Sequence, residues 1–476
     1  MPGNPRNLFS EDDLDWLDEA VRRILTRVGV LIQSDRILSA LEKQGAVVDR
    51  ARQHAMFPPP LVDAVIAHAP RMGDGGTARA VRTPYRVGVG LQVAQFYYDH
   101  EKEQRRRAGR DDLITMIHFG DVWDESLPVD HVLLLSDEPP MVEPLEAVAV
   151  LLEHARRPGN TYAHFAQQFP YLEEMGEIVA GNPNRFLVGG IFMVSPLRMD
   201  RRAADFMAAR LERGLSCGVG TQPVAGASAP VTAAGVIAQG AAEILAGWCA
   251  NHVLDPQAPL GGCICSGALD MATGNVTFCS PETMLQDLGC VELFRRRYRG
   301  AVNVAGASDY TSAKYPGMQA AFEKTVEAMG IAMYTGKTMR MGSGLLESGK
   351  TFSPVQLILD KELGSFLWAM EAGVEVNGDT IALDAIESVA SGIGQTHIAT
   401  EHTLQHFRKA LWFPRFLDRS VWQGEAVESQ ADRRLIEKAS KEFREVLARY
   451  RKPDVDPDML RRVRAVIDRA RRALLD

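Results

Sequence analysis

The sequence predicts an α/β protein, a (β/α)8 TIM barrel with an N-terminal α+β cap and a C-terminal helical extension. Three observations support this fold class. Between residues 111 and 400, short apolar runs alternate with helical stretches, which is the order of parallel strands joined by right-handed crossovers. Residues 1–110 change from helical to strand-rich patterning, and residues 401–476 are helical. Seven strand–helix units, with an eighth irregular unit expected at 374–400, fit a barrel better than an open sheet.

The N-terminal cap begins with a clear helix signal. Ser10 is followed by three acidic residues, as at a capped helix start. Apolar residues then recur at helical spacing from Leu14 to Val28. Two shorter helices are predicted at 35–44 and 60–69, and residues 81–100 are rich in strand formers.

The barrel segment divides into two interleaved sets of elements. The predicted strands are 131–135, 161–166, 186–194, 215–219, 260–265, 301–305 and 338–341. The predicted helices between and after them are 144–157, 170–180, 203–213, 231–250, 281–299, 319–333 and 355–372.

Composition and charge exclude several classes of protein. With 476 residues, 46% hydrophobic and 24% charged, the chain is neither collagen-like nor disordered. A net charge of −8 argues against a general nucleic-acid binder. The six cysteines are too few for a secreted disulfide framework, and the longest apolar run, 231–253, is interrupted by Glu243. We therefore expect a reduced, cytoplasmic protein that binds neither nucleic acid nor membrane.

The C-terminal extension differs in charge from the rest of the chain. Residues 432–476 carry 14 Lys/Arg against 9 Asp/Glu. This excess fits either a docking surface for an acidic partner or, more simply, a solvated helix pair packed on the barrel.

Common cofactor and metal motifs are absent or incomplete. The VGVG stretch at 87–90 lacks the third glycine of a dinucleotide-binding loop, and the Cys263-x-Cys265 pair has no further ligands at zinc spacing. His397, His402 and His406 form the one histidine cluster, but without HEXXH order. We therefore expect no directly bound metal, although a site at these histidines stays an alternative.

The predicted strand ends give the barrel mouth a distinctive lining. Active sites of such barrels lie at the carboxyl ends of the strands. There the sequence places amides, hydroxyls and aromatic rings but few permanent positive charges. This lining suits a neutral or cationic small molecule better than a phosphate. Aromatic faces in particular attract a quaternary ammonium group, while ordinary core packing remains the alternative for each ring.

Longer stretches of the chain resemble a known family. They include "ILTRVGVLIQSDRILSALEKQGAVVD", "QPVAGASAPVTAAGVIAQGAAEILAG", "SGALDMATGNVTFCSPE", "AGASDYTSAKYPGMQAAFEKT" and "EHTLQHFRKALWFPRFLDR". In this order over some 400 residues, the chain resembles the trimethylamine methyltransferase family, in its pyrrolysine-lacking branch. That branch comprises quaternary amine:corrinoid protein methyltransferases such as glycine betaine methyltransferase.

The resemblance implies a TIM-barrel enzyme that moves a methyl group from a small quaternary amine to the cob(I)alamin of a partner corrinoid protein. A quaternary ammonium needs no protonation, because losing its methyl group leaves a neutral tertiary amine. The cobalamin supplies the nucleophile, and the protein must hold the methyl group in line with it. Chains of this size often self-associate, so a homo-oligomer is expected.

On this basis seven residues are predicted to form the site. Two are predicted catalytic residues: Asp309, near the cobalt-facing side, and Glu347, orienting the cation. Five are predicted to bind the substrate: Tyr97, Phe165 and Phe352 as cage walls, with Gln168 and His397 contacting a substrate carboxylate. Three alternatives remain open: an amine-binding protein that transfers nothing, a metal-dependent enzyme using the 397–406 histidines, and a methyltransferase for a sulfonium or a methyl ether.

Overall fold

The computed structural model of the chain describes residues 5–69, 85–306, 309–392, 396–421 and 431–475. Its helices are α1 (Glu11–Arg23), α2 (Asp35–Lys43), α3 (Pro59–His68), α4 (Arg110–Trp123), α5 (Glu143–His154), α6 (Phe169–Ala180), α7 (Arg201–Leu211), α8 (Ala233–Leu254), α9 (Pro281–Leu293), α10 (Met318–Thr335), α11 (Pro354–Glu371), α12 (Gly378–Ile381), α13 (Leu383–Ser391), α14 (Glu401–Ala410), α15 (Ala431–Leu447) and α16 (Pro457–Leu474).

The strands are short. They are β1 (Val30–Ile32), β2 (Val47–Asp49), β3 (His54–Met56), β4 (Phe96–Asp99), β5 (Gln104–Arg107), β6 (Ile191–Met193), β7 (Arg198–Met199), β8 (Val219–Thr221), β9 (Val224–Ala225), β10 (Gly262–Ile264), β11 (Gly267–Leu269), β12 (Val276–Thr277), β13 (Val302–Val304), β14 (Leu345–Leu346) and β15 (Thr351–Phe352).

The first helix begins where the sequence predicts. The Ser10 side chain accepts a hydrogen bond from the Asp13 N–H, and the Asp13 carboxylate accepts one from the Ser10 N–H. This capping box satisfies two backbone donors that the helix itself leaves unpaired. The helix buries Leu14, Leu17 and Val21 and packs on α8, so the cap shares the main hydrophobic core.

A parallel sheet forms the centre of the molecule. Strands β6, β8, β10 and β13 pair in parallel, in the spatial order β13-β10-β8-β6. Parallel bridges extend this series backwards along the chain, joining Tyr162 to Val188, Val129 to Pro158 and Ala94 to Leu133. Helices α5 to α10 follow successive segments of the series, close to the bounds predicted from apolar periodicity.

The eighth unit expected at 374–400 is not found in the described residues of that segment. Within the described parts of 374–400 the chain forms α12, α13 and a 3₁₀ turn at His397–Ala399, with no strand. The series begins instead before the predicted barrel, where the Asp130 N–H donates to the Val89 carbonyl at 2.9 Å. The strand-rich stretch at 81–100, of which 81–84 lie outside the described residues, therefore belongs with the central strands.

Contacts cross both ends of the predicted barrel segment. β4 pairs in parallel with β15, which joins residues before 110 to residues after 350. α15 packs on α4 and α11, and α16 buries Val463, Val466, Ile467 and Ala470 against α5 and α6. The ladders among the described residues do not close into a ring of eight. The fold observed is thus α/β, with helices around mixed sheets.

Helix α8 is the most deeply enclosed element. By length and composition alone it meets the requirements of a membrane span, but 83% of its most apolar window is buried inside the protein. This is the environment of a core helix.

Candidate functional site

A cavity of about 490 Å³ lies at the carboxyl ends of the strand segments around 129–135 and 158–165. Its size is typical of small-molecule sites. Its lining mixes aromatic, acidic and basic side chains: Gln95, Phe96, Arg107, Leu134, Leu135, Ser136, Glu138, Pro140, Glu143, His164, Phe165 and Arg202.

Glu143, the first residue of α5, is the buried acid of this cavity. One oxygen accepts the Leu135 N–H at 2.8 Å and lies 3.0 Å from Nε2 of His131, while the other lies 3.0 Å from Nε2 of His164. Burial raises the pKa of Glu143, but the charges and hydrogen bonds of His131 and His164 outweigh burial and hold this pKa at about 2. The carboxylate is therefore ionised and fixes the His164 ring at the cavity wall.

Glu138, the second acid of the lining, is neutralised by arginines of α4 and α16. Arg110 contacts one of its oxygens at 2.6 Å, and Arg471 of the last helix contacts the other. Both arginines also bind Glu146, at 2.9 and 2.7 Å. The basic tail is thus packed on the protein through ion pairs, as the simpler of the two sequence interpretations expects.

Two arginines of the lining have no acidic partner. Arg107 is the last residue of β5, and Arg202 lies in the first turn of α7. Among the described residues neither guanidinium forms an ion pair. Two permanent positive charges thus enter the lining from elements other than the central strands. Both groups come from elements beside the central strands, so inspection of the strand ends does not find them.

The aromatic ring of Phe96 forms part of the wall and is itself held by a charged pair. The Arg105 guanidinium lies 3.4 Å from the ring centroid of Phe96, and its Nε donates to Glu347 at 2.5 Å. Glu347 also accepts from the Thr351 hydroxyl at 2.7 Å. Burial raises the pKa of Glu347, but these hydrogen bonds, with charges including that of Lys314, lower it overall. The predicted cation-orienting residue thus orients a cation of the protein, Arg105.

Tyr97 and Phe352, predicted as cage walls, lie in the hydrophobic core. They are register partners on β4 and β15 and are 7% and 0% exposed. Because side chains alternate along a strand, Phe96 points to the cavity while Tyr97 points away from it. Of the run Phe96-Tyr97-Tyr98, it is Phe96 rather than the predicted Tyr97 that lines the cavity.

Phe165 is the predicted wall residue that the structure brings to the cavity, where it is half-buried beside His164. Gln168 is close in sequence but fully buried. Its Oε1 accepts the N–H groups of His164 and Phe165 at 2.7 and 2.9 Å, and its Nε2 donates to the carbonyls of Pro140 and Met141, both at 3.0 Å. No polar hydrogen remains for a substrate, so Gln168 holds the two loops that shape the cavity.

Asp309 belongs to a second group of acids, around the start of α10. Burial raises the pKa of Asp309 to about 7, against the lowering effect of Lys324. Burial likewise raises the pKa of Asp287 to about 7, although Ser266 donates to it from its backbone and hydroxyl at 2.7 and 2.5 Å. Lys324 itself is fully buried and paired with Asp360 at 2.7 Å. Protonated carboxyls at neutral pH are common where proton transfer is needed, but Asp309 is not part of the cavity lining.

The histidine cluster lies on the surface. His397 is exposed, and its carbonyl accepts the hydroxyl hydrogens of Thr400 and Thr403. His402 and His406 stack at 4.3 Å between ring centroids, with His406 3.4 Å from Asp379. Among the described residues no group of three or more His, Cys, Asp or Glu side chains is arranged to hold a metal ion.

The chain matches a known protein family along nearly its whole length. The family model described as trimethylamine methyltransferase (MTTB) matches residues 2–474. The chain is 24% identical to trimethylamine methyltransferase MttB of Methanosarcina barkeri (strain Fusaro / DSM 804) over 500 residues, which cover 99% of this chain and 97% of that one. It is 26% identical to glycine betaine methyltransferase of Desulfitobacterium hafniense (strain Y51) over 284 residues, 59% of this chain and 57% of that one. A solved structure, that of Methanosarcina barkeri monomethylamine methyltransferase, aligns with a TM-score of 0.40 and 13% identity over 91% of this chain and 92% of that chain.

Proposed function

Because the chain belongs to the trimethylamine methyltransferase family, we propose that it transfers a methyl group from a small zwitterionic quaternary amine, of the betaine type, to the cob(I)alamin of a partner corrinoid protein. The family and the methyltransferase activity predicted from the sequence are confirmed by the family match and by relatives named as methyltransferases. The amine, the corrinoid and the residues below belong to the proposal.

The observation that carries the choice of substrate is the pair of unpartnered arginines. The acids of the lining each have partners within the protein, two histidines for Glu143 and two arginines for Glu138. Arg107 and Arg202 therefore leave an excess of positive charge, which suits a substrate carboxylate. Trimethylamine has no such group, whereas a betaine carries one next to its ammonium.

The aromatic rings would receive the other end of the substrate. Phe96 and Phe165 line the same cavity, and aromatic faces bind quaternary ammonium groups without hydrogen bonds. One face of Phe96 is already covered by Arg105. A methylated ammonium would then contact Phe165 and the free face of Phe96, with its carboxylate directed to the arginines.

Such an arrangement fits the chemistry of the transfer. The cobalt(I) electron pair attacks the methyl carbon, the C–N bond breaks, and nitrogen keeps the bonding pair as a tertiary amine. The cation's charge disappears in this step, so a carboxylate held tightly against the ammonium would oppose the reaction. Binding the substrate through its own carboxylate, away from the reacting nitrogen, avoids this opposition. It still fixes the direction of the C–N bond relative to the methyl acceptor.

The proposal extends to architecture and location. We infer that the parallel strands form an eight-stranded barrel, because the Tyr85 hydroxyl hydrogen-bonds both backbone groups of Met341 and so joins the first segment of the series to a later one. We also propose a cap, a barrel and an extension bounded near residues 110 and 400, with the strand segments just before 110 contributing to the barrel. Six free cysteines support a reducing, cytoplasmic location.

The test is methyl transfer to free cob(I)alamin by the purified chain. Glycine betaine, carnitine, choline, trimethylamine and dimethylsulfoniopropionate would be compared, following loss of cob(I)alamin absorbance and formation of methylcobalamin. We expect turnover with a carboxylate-bearing quaternary amine and little with choline or trimethylamine. Turnover of trimethylamine or choline alone would refute the arginine argument, and turnover of the sulfonium alone would establish a different methyl donor.

Matched variants locate the site. Arg107→Gln and Arg202→Gln should each raise KM for the betaine about 5- to 30-fold, since one charge-assisted hydrogen bond at an open cavity contributes roughly 1–2 kcal/mol. Arg198→Gln serves as the control, because this exposed arginine on β7 is not part of the lining. Equal effects of all three substitutions would point to general electrostatics rather than to a carboxylate site.

A further inference from the structure

A second cavity, of about 410 Å³, lies between the C-terminal half of α11 and the chain segment at the end of α14 and beyond it. It shares no lining residue with the cavity described above. Four of its twelve lining residues are aromatic, whereas aromatic residues make up 7% of the whole chain. Its volume is in the range of small-molecule sites. The residues of this α11 cavity that matter below are Tyr85, Phe366, Trp368, Trp412, Lys409 and Arg419.

The aromatic rings of the α11 cavity are held by contacts within the protein. The Trp412 Nε1–H donates to the Ser365 hydroxyl at 3.1 Å, and the Trp412 ring meets Phe366 edge to face, with 5.1 Å between centroids. Tyr85 lies 6.0 Å from Trp368 between ring centroids, and its hydroxyl is hydrogen-bonded to the backbone. Because these contacts exist without a ligand, binding would need little further ordering of the wall.

The segment that carries Trp412 and Arg419 is also anchored on α11. Just after Trp412, the N–H groups of Arg415 and Phe416 donate to Oε1 of Glu362 at 2.8 and 3.1 Å. These bonds keep the segment beside the helix, so the two sides of the cavity are held together.

Two positive charges of the lining lack an acidic partner. Neither Lys409 nor Arg419 forms an ion pair with any described residue, and no Asp or Glu belongs to the lining. The Arg419 guanidinium lies 5.1 Å from the ring centroid of Trp412, a cation–π distance. The neighbouring Asp418 carboxylate accepts the N–H and hydroxyl hydrogens of Ser420. The α11 cavity therefore combines aromatic faces with an excess of positive charge.

We propose that the α11 cavity binds a small planar aromatic anion, such as an aromatic carboxylate. Its ring would stack on the aromatic wall, and its carboxylate would pair with Lys409 and Arg419, for which an arginine fork is well suited. This site is additional to the proposed methyl-transfer cavity, and the inference does not depend on the substrate of that reaction.

The lining favours this class of ligand over three others. A cation, or the ammonium end of a betaine, would meet no carboxylate here and would approach Arg419 where that group lies over Trp412. A small inorganic anion would leave the rings uncovered, and a neutral apolar molecule would desolvate two charges without pairing them. An aromatic anion satisfies both parts of the wall.

Calorimetric titration and tryptophan fluorescence of the full chain test the proposal. The probes are 2-naphthoate, its neutral analogue 2-naphthamide, and cyclohexanecarboxylate, an anion without an aromatic ring. We expect 2-naphthoate to bind and to change the fluorescence, and the other two to bind at least about tenfold more weakly. Absence of 2-naphthoate binding, or equal binding of either analogue, overturns the proposal. Competition by glycine betaine overturns it as well.

Matched variants locate the bound probe. Lys409→Gln and Arg419→Gln should each raise Kd for 2-naphthoate about 5- to 30-fold, the effect of losing one charge-assisted hydrogen bond. Their control is Arg408→Gln, an exposed charge next to Lys409 but outside the lining. If Arg408→Gln weakens binding as much as the other two, general electrostatics explains it and the proposal fails.

The aromatic wall is tested in the same way. Trp412→Leu should raise Kd roughly tenfold through loss of stacking, whereas Phe413→Leu, at an exposed ring outside the lining, should not change it. An unchanged Kd in Trp412→Leu refutes recognition by the ring. Arg107→Gln should leave binding of 2-naphthoate unaltered, and a large loss of affinity there would place the probe in the other cavity and overturn the proposal.

Discussion

The buried pair Lys324–Asp360 offers a sharp test of how the interior of this protein is held together. Lys324 of α10 and Asp360 of α11 have side chains with no exposure, and Nζ lies 2.7 Å from Oδ2. The same carboxylate accepts the Gly344 N–H at 2.9 Å and the Gln356 amide at 2.7 Å. Lys324→Met keeps the volume but leaves a carboxylate buried with only two neutral donors.

The expected cost follows from that environment. Removing one partner of a buried pair typically costs about 3–5 kcal/mol, because the remaining charge is uncompensated. In a chain of this length that corresponds to a fall in Tm of about 3–10 °C, since the unfolding entropy grows with size. Lys324→Met/Asp360→Asn should recover most of the loss, because the asparagine oxygen can still accept the Gly344 N–H without a charge.

Thermal and urea unfolding of the two single variants and the double variant would be compared. Lys441→Met is the control: its ion pair with Glu445 spans 3.7 Å between largely exposed side chains and should contribute less than about 0.5 kcal/mol. The buried-charge argument fails if Lys324→Met lowers the free energy of unfolding no more than Lys441→Met does. It also fails if the double variant loses as much stability as the two single variants added together.

Two further predictions concern the cavity. The pKa of Glu143 is lowered from 4.5 to about 2, so its ionised form stabilises the fold above about pH 4.5, and that contribution, on the order of 3 kcal/mol, is lost as the pH falls towards 2. The urea midpoint of Glu143→Gln should therefore fall less between pH 5 and pH 3 than that of the wild type. An equal fall of the two midpoints would contradict this. Gln168→Ala should lower stability by about 2–3 kcal/mol, because four backbone groups lose their partner, and should also raise KM. A raised KM with an unchanged unfolding midpoint would instead favour direct substrate contact by Gln168.

Much of the fold could be predicted because helices and buried strands leave periodic signals. α5 to α11 lie close to their predicted bounds, and the capped start of α1 is where Ser10 and its acidic neighbours place it. The segment that extends the parallel series at its start could not be predicted in the same way. Spatial neighbours need not follow one another in sequence, and the segment around Val89 joins the series from before the region where alternation begins.

The site was harder to predict, for reasons that differ by residue. In the run at 96–98 every side chain is aromatic, so the pattern does not reveal which face is buried, and Tyr97 was preferred to Phe96. Arg107 and Arg202 gave no signal because nothing in the sequence distinguishes an unpaired arginine from the many paired ones. Gln168 has the right chemistry for a substrate contact, but its amide is hydrogen-bonded to four backbone groups. Only the tertiary structure brings those groups near it.

The ion pair between Glu138 and Arg471 has a consequence for how the protein is made. The two residues are 333 positions apart, so a ribosome completes the cavity wall long before it synthesises the second of the two arginines that neutralise Glu138. Until α16 has emerged and docked, the nascent cavity carries an extra negative charge and lacks the electrostatic balance that would attract an anion. Ligand-binding competence should therefore appear only after translation of the last helix, even though all of the lining residues belong to the first half of the chain.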